Sequence, residues 1–129
     1  MLDRAACILC GRCVVACDEV QHIGAIALLG RGHRTKVGTF GDRAMAGSIC
    51  TSCGQCVATC PTGALRPKQI PAQVTRRVET TCPYCGVGCG IVVAVDERGK
   101  LAVMADDVPG NRSSEGTLCV KGRFGTGFL

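Results

Sequence analysis

Twelve cysteines in 129 residues fall into three runs of four. The first is Cys7, Cys10, Cys13 and Cys17, and the second is Cys50, Cys53, Cys56 and Cys60, followed by Pro61. The third is Cys82, Cys85 and Cys89, completed by Cys119 after a gap of 29 residues. A thiolate is a soft ligand, and four thiolates, three from a short loop and one from a distance, suit a [4Fe-4S] cubane. The chemistry of such a site is the gain and loss of single electrons. No other residue set in the chain has the make-up of an acid, base or nucleophile for a chemical step, so catalytic residues are expected to be absent.

Composition narrows the alternatives. The chain is 13.4 kDa with no Trp, one Tyr and three Phe, too little bulk for a large core, so a staple is expected. Disulfides would require an oxidising compartment, and no secretory leader is read at the start of the sequence; the expectation is a reducing cytoplasm. The longest apolar stretch, Ile23 to Leu29, is too short for a membrane span. Zinc sites pair two Cys-x2-Cys units across a spacer, whereas these runs are triplets ending in a fourth cysteine, which leaves a zinc-bound structural module as an alternative of another class. The formal charge of +5 does not argue for nucleic acid. A cubane with four thiolates carries about −2, and three of them bring the total to about −1. Aromatic stacking platforms are also missing. His22 and His33 read as surface residues, and Arg31, Arg34 and Lys36 as a solvated face that could also meet an acidic partner.

The elements that must position the cysteines follow from pattern. Cys10-Gly11-Arg12-Cys13-Val14 aligns with Cys53-Gly54-Gln55-Cys56-Val57 as an internal repeat. Gly11 and Gly54 fit loops in which backbone amides approach sulfide closely. A short helix is expected after each loop, with Val14, Val15, Val57 and Ala58 packed over the site. In the 32-residue segment between the runs, Ala25–Leu29 reads as a buried strand and Thr35–Phe40 as its hairpin partner, followed by a helical stretch near Asp42 to Ala46. Pro61–Leu65 reads as a tight turn and residues 66–73 as a stiff linker. Val74–Thr81, Gly90–Val95 and Lys100–Ala105 read as strands, and Asp106–Thr117 as a polar loop returning the chain to Cys119. The expected class is α+β, with a two-cluster domain over residues 1–73 that carries a β-hairpin insertion and a small β-rich [4Fe-4S] domain over 74–129.

The first two runs have the spacing of two-cluster bacterial ferredoxins, in which each fourth cysteine serves the other run's cluster. That resemblance implies a ferredoxin-like domain with Cys7, Cys10, Cys13 and Cys60 around one cluster and Cys17, Cys50, Cys53 and Cys56 around the second. Asp18 stands where such a fourth cysteine is usually followed by proline. Cys82-Pro83-Tyr84-Cys85-Gly86-Val87-Gly88-Cys89, with Leu118-Cys119-Val120-Lys121-Gly122-Arg123-Phe124-Gly125 downstream, resembles the first domain of molybdopterin-dependent formate dehydrogenase catalytic subunits. Cys7-Ile8-Leu9-Cys10-Gly11-Arg12-Cys13 and Cys17-Asp18-Glu19-Val20-Gln21 extend the similarity to the NAD-linked members. The resemblance implies a third cluster on Cys82, Cys85, Cys89 and Cys119, beside a molybdenum or tungsten bis-pterin site that oxidises formate to carbon dioxide. Lys121 would lie between that cluster and a pterin ring. The pterin-binding domains follow this region in the family, so the chain reads as a fragment whose partners are those domains and a flavin/NAD-linked or ferredoxin-type redox subunit. A stand-alone polyferredoxin-like carrier, or the accessory-cluster region of a complex I or hydrogenase large subunit, is the alternative.

Overall fold

Gly11 and Gly54 begin the two helices of the first half, and both hold a left-handed backbone, with φ of 74° and 75°. The computed structural model describes residues 2–68, 73–105 and 113–128. Helix α1 spans Arg12–Val15 and runs into a π-helical turn over Ala16–Val20; helix α2 spans Gln55–Ala58. Successive residues of a helix lie about 100° apart, so each helix can bury only one stripe. Val14 and Val57 pack against the core of Cys13, Cys17, Ala25, Ile26, Val37 and Leu65, while Val15 and Ala58, expected to pack with them, face solvent.

Between the helices, β1 (Ala27–Leu29) pairs antiparallel with β2 (Lys36–Gly38) in the register Ala27↔Gly38, Leu28↔Val37, Leu29↔Lys36. The hairpin is shorter than the pattern suggests, and burial sits elsewhere. Ala25 and Ile26, just before the strand, are buried, whereas Ala27 and Leu28 within it are exposed. A ribbon of two strands has one neighbour per strand and covers little of itself. Gly30 makes the turn possible: a Cβ there would lie 2.7 Å from the carbonyl oxygen of Arg34. The helix expected near Asp42 to Ala46 is replaced by two 3-10 turns, Phe40–Asp42 and Met45–Gly47. Gly41 and Asp42 take φ of 68° and 54°, which breaks right-handed winding between them. Asp42 binds Lys36 at 2.5 Å and also pairs with Arg4; the Lys36 hydrogen bond holds its carboxyl below the usual range, with Arg4 adding to the effect. The N-terminal segment closes over the turn that follows Cys60, with a bridge between Leu2 and Leu65 and a 2.7 Å bond from the Asp3 amide to the Ala64 carbonyl.

The chain divides into two compact units, Met1–Lys68 and Gln69–Leu129. In the second, β3 (Val74–Thr81), β4 (Gly90–Asp96) and β5 (Leu101–Ala105) form an antiparallel sheet in that order. Alternation along β4 buries Ile91 and places Val93 against the core, while β3, an edge, is exposed along all eight residues. The β4–β5 turn is fixed by Asp96, which accepts the Arg98 and Lys100 amides at 2.9 and 2.8 Å. Helix α3 (Val120–Phe124) packs on β5, and Cys82, Ile91, Val103 and Leu118 form the core. The linker expected over 66–73 and the loop expected over 106–117 lie partly outside the described residues. Both units are small α+β folds built on antiparallel sheets, and among the described residues no helix is long and apolar enough to cross a membrane.

Candidate metal centres

All twelve cysteines are unbridged thiols. Cys7, Cys10, Cys13 and Cys60 line one recess, together with Leu2, Ile8, Gly11 and Leu65. Burial pushes the Cys13 thiol up, its backbone hydrogen bonds pull it down, and the neighbouring Cys7 and Cys10 thiols push it up again. Cys60 goes the other way. Burial would raise it, but it accepts the Leu65 amide at 3.5 Å and lies 3.8 Å from the Thr62 hydroxyl. With the backbone bonds from Thr62 and Ala64 these bring it below the usual thiol value. The turn read at Pro61–Leu65 therefore supplies hydrogen-bond donors to the thiolate, which no side-chain pattern announces.

The second grouping gathers around Cys56, whose thiol burial pushes up to about 12, with Cys53, Cys50, Cys17 and Cys13 adding like-charge repulsion. Cys17 accepts the Ala25 amide at 3.3 Å and Cys50 the Ser52 amide at 3.4 Å. The internal repeat is reproduced in the backbone. Leu9 and Gly11 flank Cys10 with φ of 56° and 74°, and Ser52 and Gly54 flank Cys53 with 57° and 75°. Left-handed positions alternating along a short loop make the concavity that receives anions and iron–sulfur groups. Glycine is used where it is free of strain; Leu9 and Ser52 hold the same conformation at a cost.

In the second unit the Cys82 amide bonds the Cys89 carbonyl at 2.8 Å, and the Gly88 amide bonds that of Cys85 at 3.4 Å, closing the loop that carries three cysteines. Cys119 precedes α3, and its carbonyl receives the Arg123 amide at 3.1 Å. The helix approaches the loop through Gly122, where a Cβ would stand 3.5 Å from Cys82 Sγ. The Tyr84 hydroxyl donates to the Gly125 carbonyl. Cys82 is buried, and Cys85 and Cys119 are exposed. Lys121 is exposed on α3 next to Gly122. The contacts of Tyr84, Gly122 and Gly125 between loop and helix are ones the cysteine spacing does not reveal. His22 and His33 are exposed.

Among the described residues, no three His, Cys, Asp or Glu side chains are drawn together around a single-ion position. A cubane spreads its thiolates over four iron corners, a wider arrangement than four donors on one zinc. Four cysteines lining one recess, amides donating to sulfur and glycine-bordered concavities fit [4Fe-4S] groups.

Residues 6–64 match the 4Fe-4S dicluster domain, and residues 75–129 match the molybdopterin oxidoreductase Fe4S4 domain. Among curated relatives, the chain is 41% identical to one of the NADH-quinone oxidoreductase subunits of Rhizobium meliloti, over 95% of this chain and 14% of that protein. It is 34% identical to the alpha subunit of the NADPH-Fe(3+) oxidoreductase of Geobacter sulfurreducens, over 98% of this chain and 15% of that one. A putative formate dehydrogenase of Staphylococcus haemolyticus is 28% identical, over 98% and 17%. The chain thus spans 14% to 17% of the length of these proteins. With one iron–sulfur domain in each half, the second of them matching the Fe4S4 domain of molybdopterin oxidoreductases, the chain is similar to an iron–sulfur electron-transfer region of that family.

Proposed function

We propose that the chain holds three [4Fe-4S] clusters and relays single electrons within a formate-dehydrogenase-type molybdopterin oxidoreductase. In this reading Cys7, Cys10, Cys13 and Cys60 hold the first, Cys17, Cys50, Cys53 and Cys56 the second, and Cys82, Cys85, Cys89 and Cys119 the third. The observation that carries it is the first recess, which draws its fourth cysteine from the other end of the unit. A bound cubane supplies a one-electron couple. The chain's own residues exclude water and set the potential: Val14 and Val57 contribute apolar cover, and the Leu65, Ala25 and Ser52 amides donate to ligand sulfurs, which favours the more negative, reduced state. Lys121 places a cation beside the third site, toward a pterin in the remainder of the parent polypeptide. Formate would be oxidised to carbon dioxide there, on molybdenum or tungsten. Electrons pass to or from a flavin/NAD-linked or ferredoxin-type subunit. Twelve unbridged thiols suit a reducing cytoplasm.

The 41% identity to a component of an NADH-quinone oxidoreductase favours a second reading, in which the same relay serves a complex-I-type large subunit and no formate is consumed. Iron and sulfide analysis tests the relay: about 12 of each per chain are expected, four per site, and zinc without sulfide would end it. The two parents separate on reductant. Anaerobic formate should reduce the EPR-active clusters of the full polypeptide under the first reading; under the second, formate does nothing and NADH acts through the partner subunit.

A further inference from the structure

Resting on the three-cluster reading, we propose that Tyr84 and Gly125 form a latch that presents Cys119 to the third site. Tyr84 belongs to the loop that carries Cys82 and Cys85, and Gly125 closes the helix that begins after Cys119. The spacing between those two pieces, 29 residues from Cys89 to Cys119, leaves the fourth thiolate dependent on something other than its own loop. Beside the packing of α3 on β5, three contacts bring it to the cysteine loop. Leu118, next to Cys119, is buried in the core with Cys82. Gly122 brings the helix backbone against Cys82 Sγ. At the far end of the helix, the Tyr84 hydroxyl donates to the Gly125 carbonyl, and the Tyr84 ring occupies the space that a side chain at 125 would need. A Cβ on Gly125 would stand 2.6 Å from Tyr84 Cζ and 2.9 Å from Cε2, well inside contact distance. Only glycine lets the ring lie there.

The arrangement divides the labour. Leu118, Gly122 and the packing on β5 hold the start and middle of the helix, and the Tyr84 contact holds its far end to the loop that carries Cys82 and Cys85. The Tyr84 hydrogen bond is directional and acts about one and a half turns beyond Cys119. It therefore sets the direction in which Cys119 leaves the helix start. Cys119 is exposed, so no packing of its own side chain does this instead. Tyr84 is a positioning residue, and its effect should appear at the iron corner assigned to Cys119 and at no other.

The experiment uses the full chain, reconstituted anaerobically, in wild type, Cys119→Ser, Tyr84→Phe and Gly125→Ala. Cys119→Ser identifies the EPR signal of the third site and shows what an iron without its cysteine looks like: a three-iron signal after mild oxidation. Gly125→Ala is expected to give the same three-iron signal while the signals of the first unit keep their wild-type intensity. Tyr84→Phe keeps the ring and loses only the hydroxyl. It should keep the third cluster yet release its labile iron to a chelator about tenfold faster, corresponding to about 1.4 kcal/mol. Tyr84→Phe with wild-type release, or Gly125→Ala with an unaltered four-iron signal, would overturn the latch. If Cys119→Ser changes no signal at all, the three-cluster reading itself fails.

Discussion

Leu65 and Ala25 carry plain apolar side chains, and what they offer the chemistry is an amide. Each N–H points at a cysteine sulfur assigned to a cluster in the proposed reading, at 3.5 Å for Cys60 and 3.3 Å for Cys17. Reduction adds negative charge to the cluster and strengthens such bonds, so each raises the potential. Ala25→Pro removes one of them and should lower the midpoint of the Cys17 cluster by on the order of 60 mV, the one-electron equivalent of about 1.4 kcal/mol; redox titration followed by EPR measures it. Cys60→Ser should damage the cluster assigned to Cys7, Cys10 and Cys13, lowering iron below about 12 per chain with less effect on the Cys50 signal. Loss confined to the Cys50 signal would reverse the assignment. The thiolates were legible in the sequence because cysteine is rare and its spacing is short. The amide donors were not, because every residue but proline has one and only the fold aims it. Tyr84 was visible as a letter in a motif, and its partner Gly125 was not visible as a partner.

At the scale of elements, the repeated Cys-Gly-x-Cys loops translate directly into structure, with Gly11 and Gly54 left-handed at the start of each helix. Nothing lies within 4 Å of the place where a Cβ on Gly11 would go, so Gly11→Ala meets no neighbour and pays only for the backbone. About 1–2 kcal/mol of stability should be lost, read as a lower midpoint in denaturant for the cluster-loaded chain, with unchanged iron content. The three strands of the second unit follow the alternation and turn signals closely, since Asp96 and Gly99 mark their turn plainly. The hairpin of the first unit was legible in kind but its burial was not: Ala27 and Leu28 look like core residues, yet both are exposed, and burial falls on Ala25, Ile26 and Val37 instead. The stretch after Phe40 misleads because Ala44, Met45 and Ala46 favour helix, while Gly41 and Asp42, both at positive φ, interrupt it.

For the whole molecule, the cores are small and rich in cysteine. Cys13 and Cys17 count among six buried residues of one, with Cys7, Cys50, Cys56 and Cys60 packed around them, and Cys82 among four of the other. Removing iron should therefore unfold the chain, and a metal-free sample with dispersed amide resonances would contradict this. The same distribution of thiols sets how each site ages under aerobic handling. None of Cys17, Cys50, Cys53 and Cys56 is exposed, one thiol of the first recess is (Cys10), and two of the third set are (Cys85 and Cys119). Dioxygen should therefore bleach the centre of the second unit first and the one around Cys56 last, so a sample that has browned and then partly faded on the bench is a record of which corner faced the air.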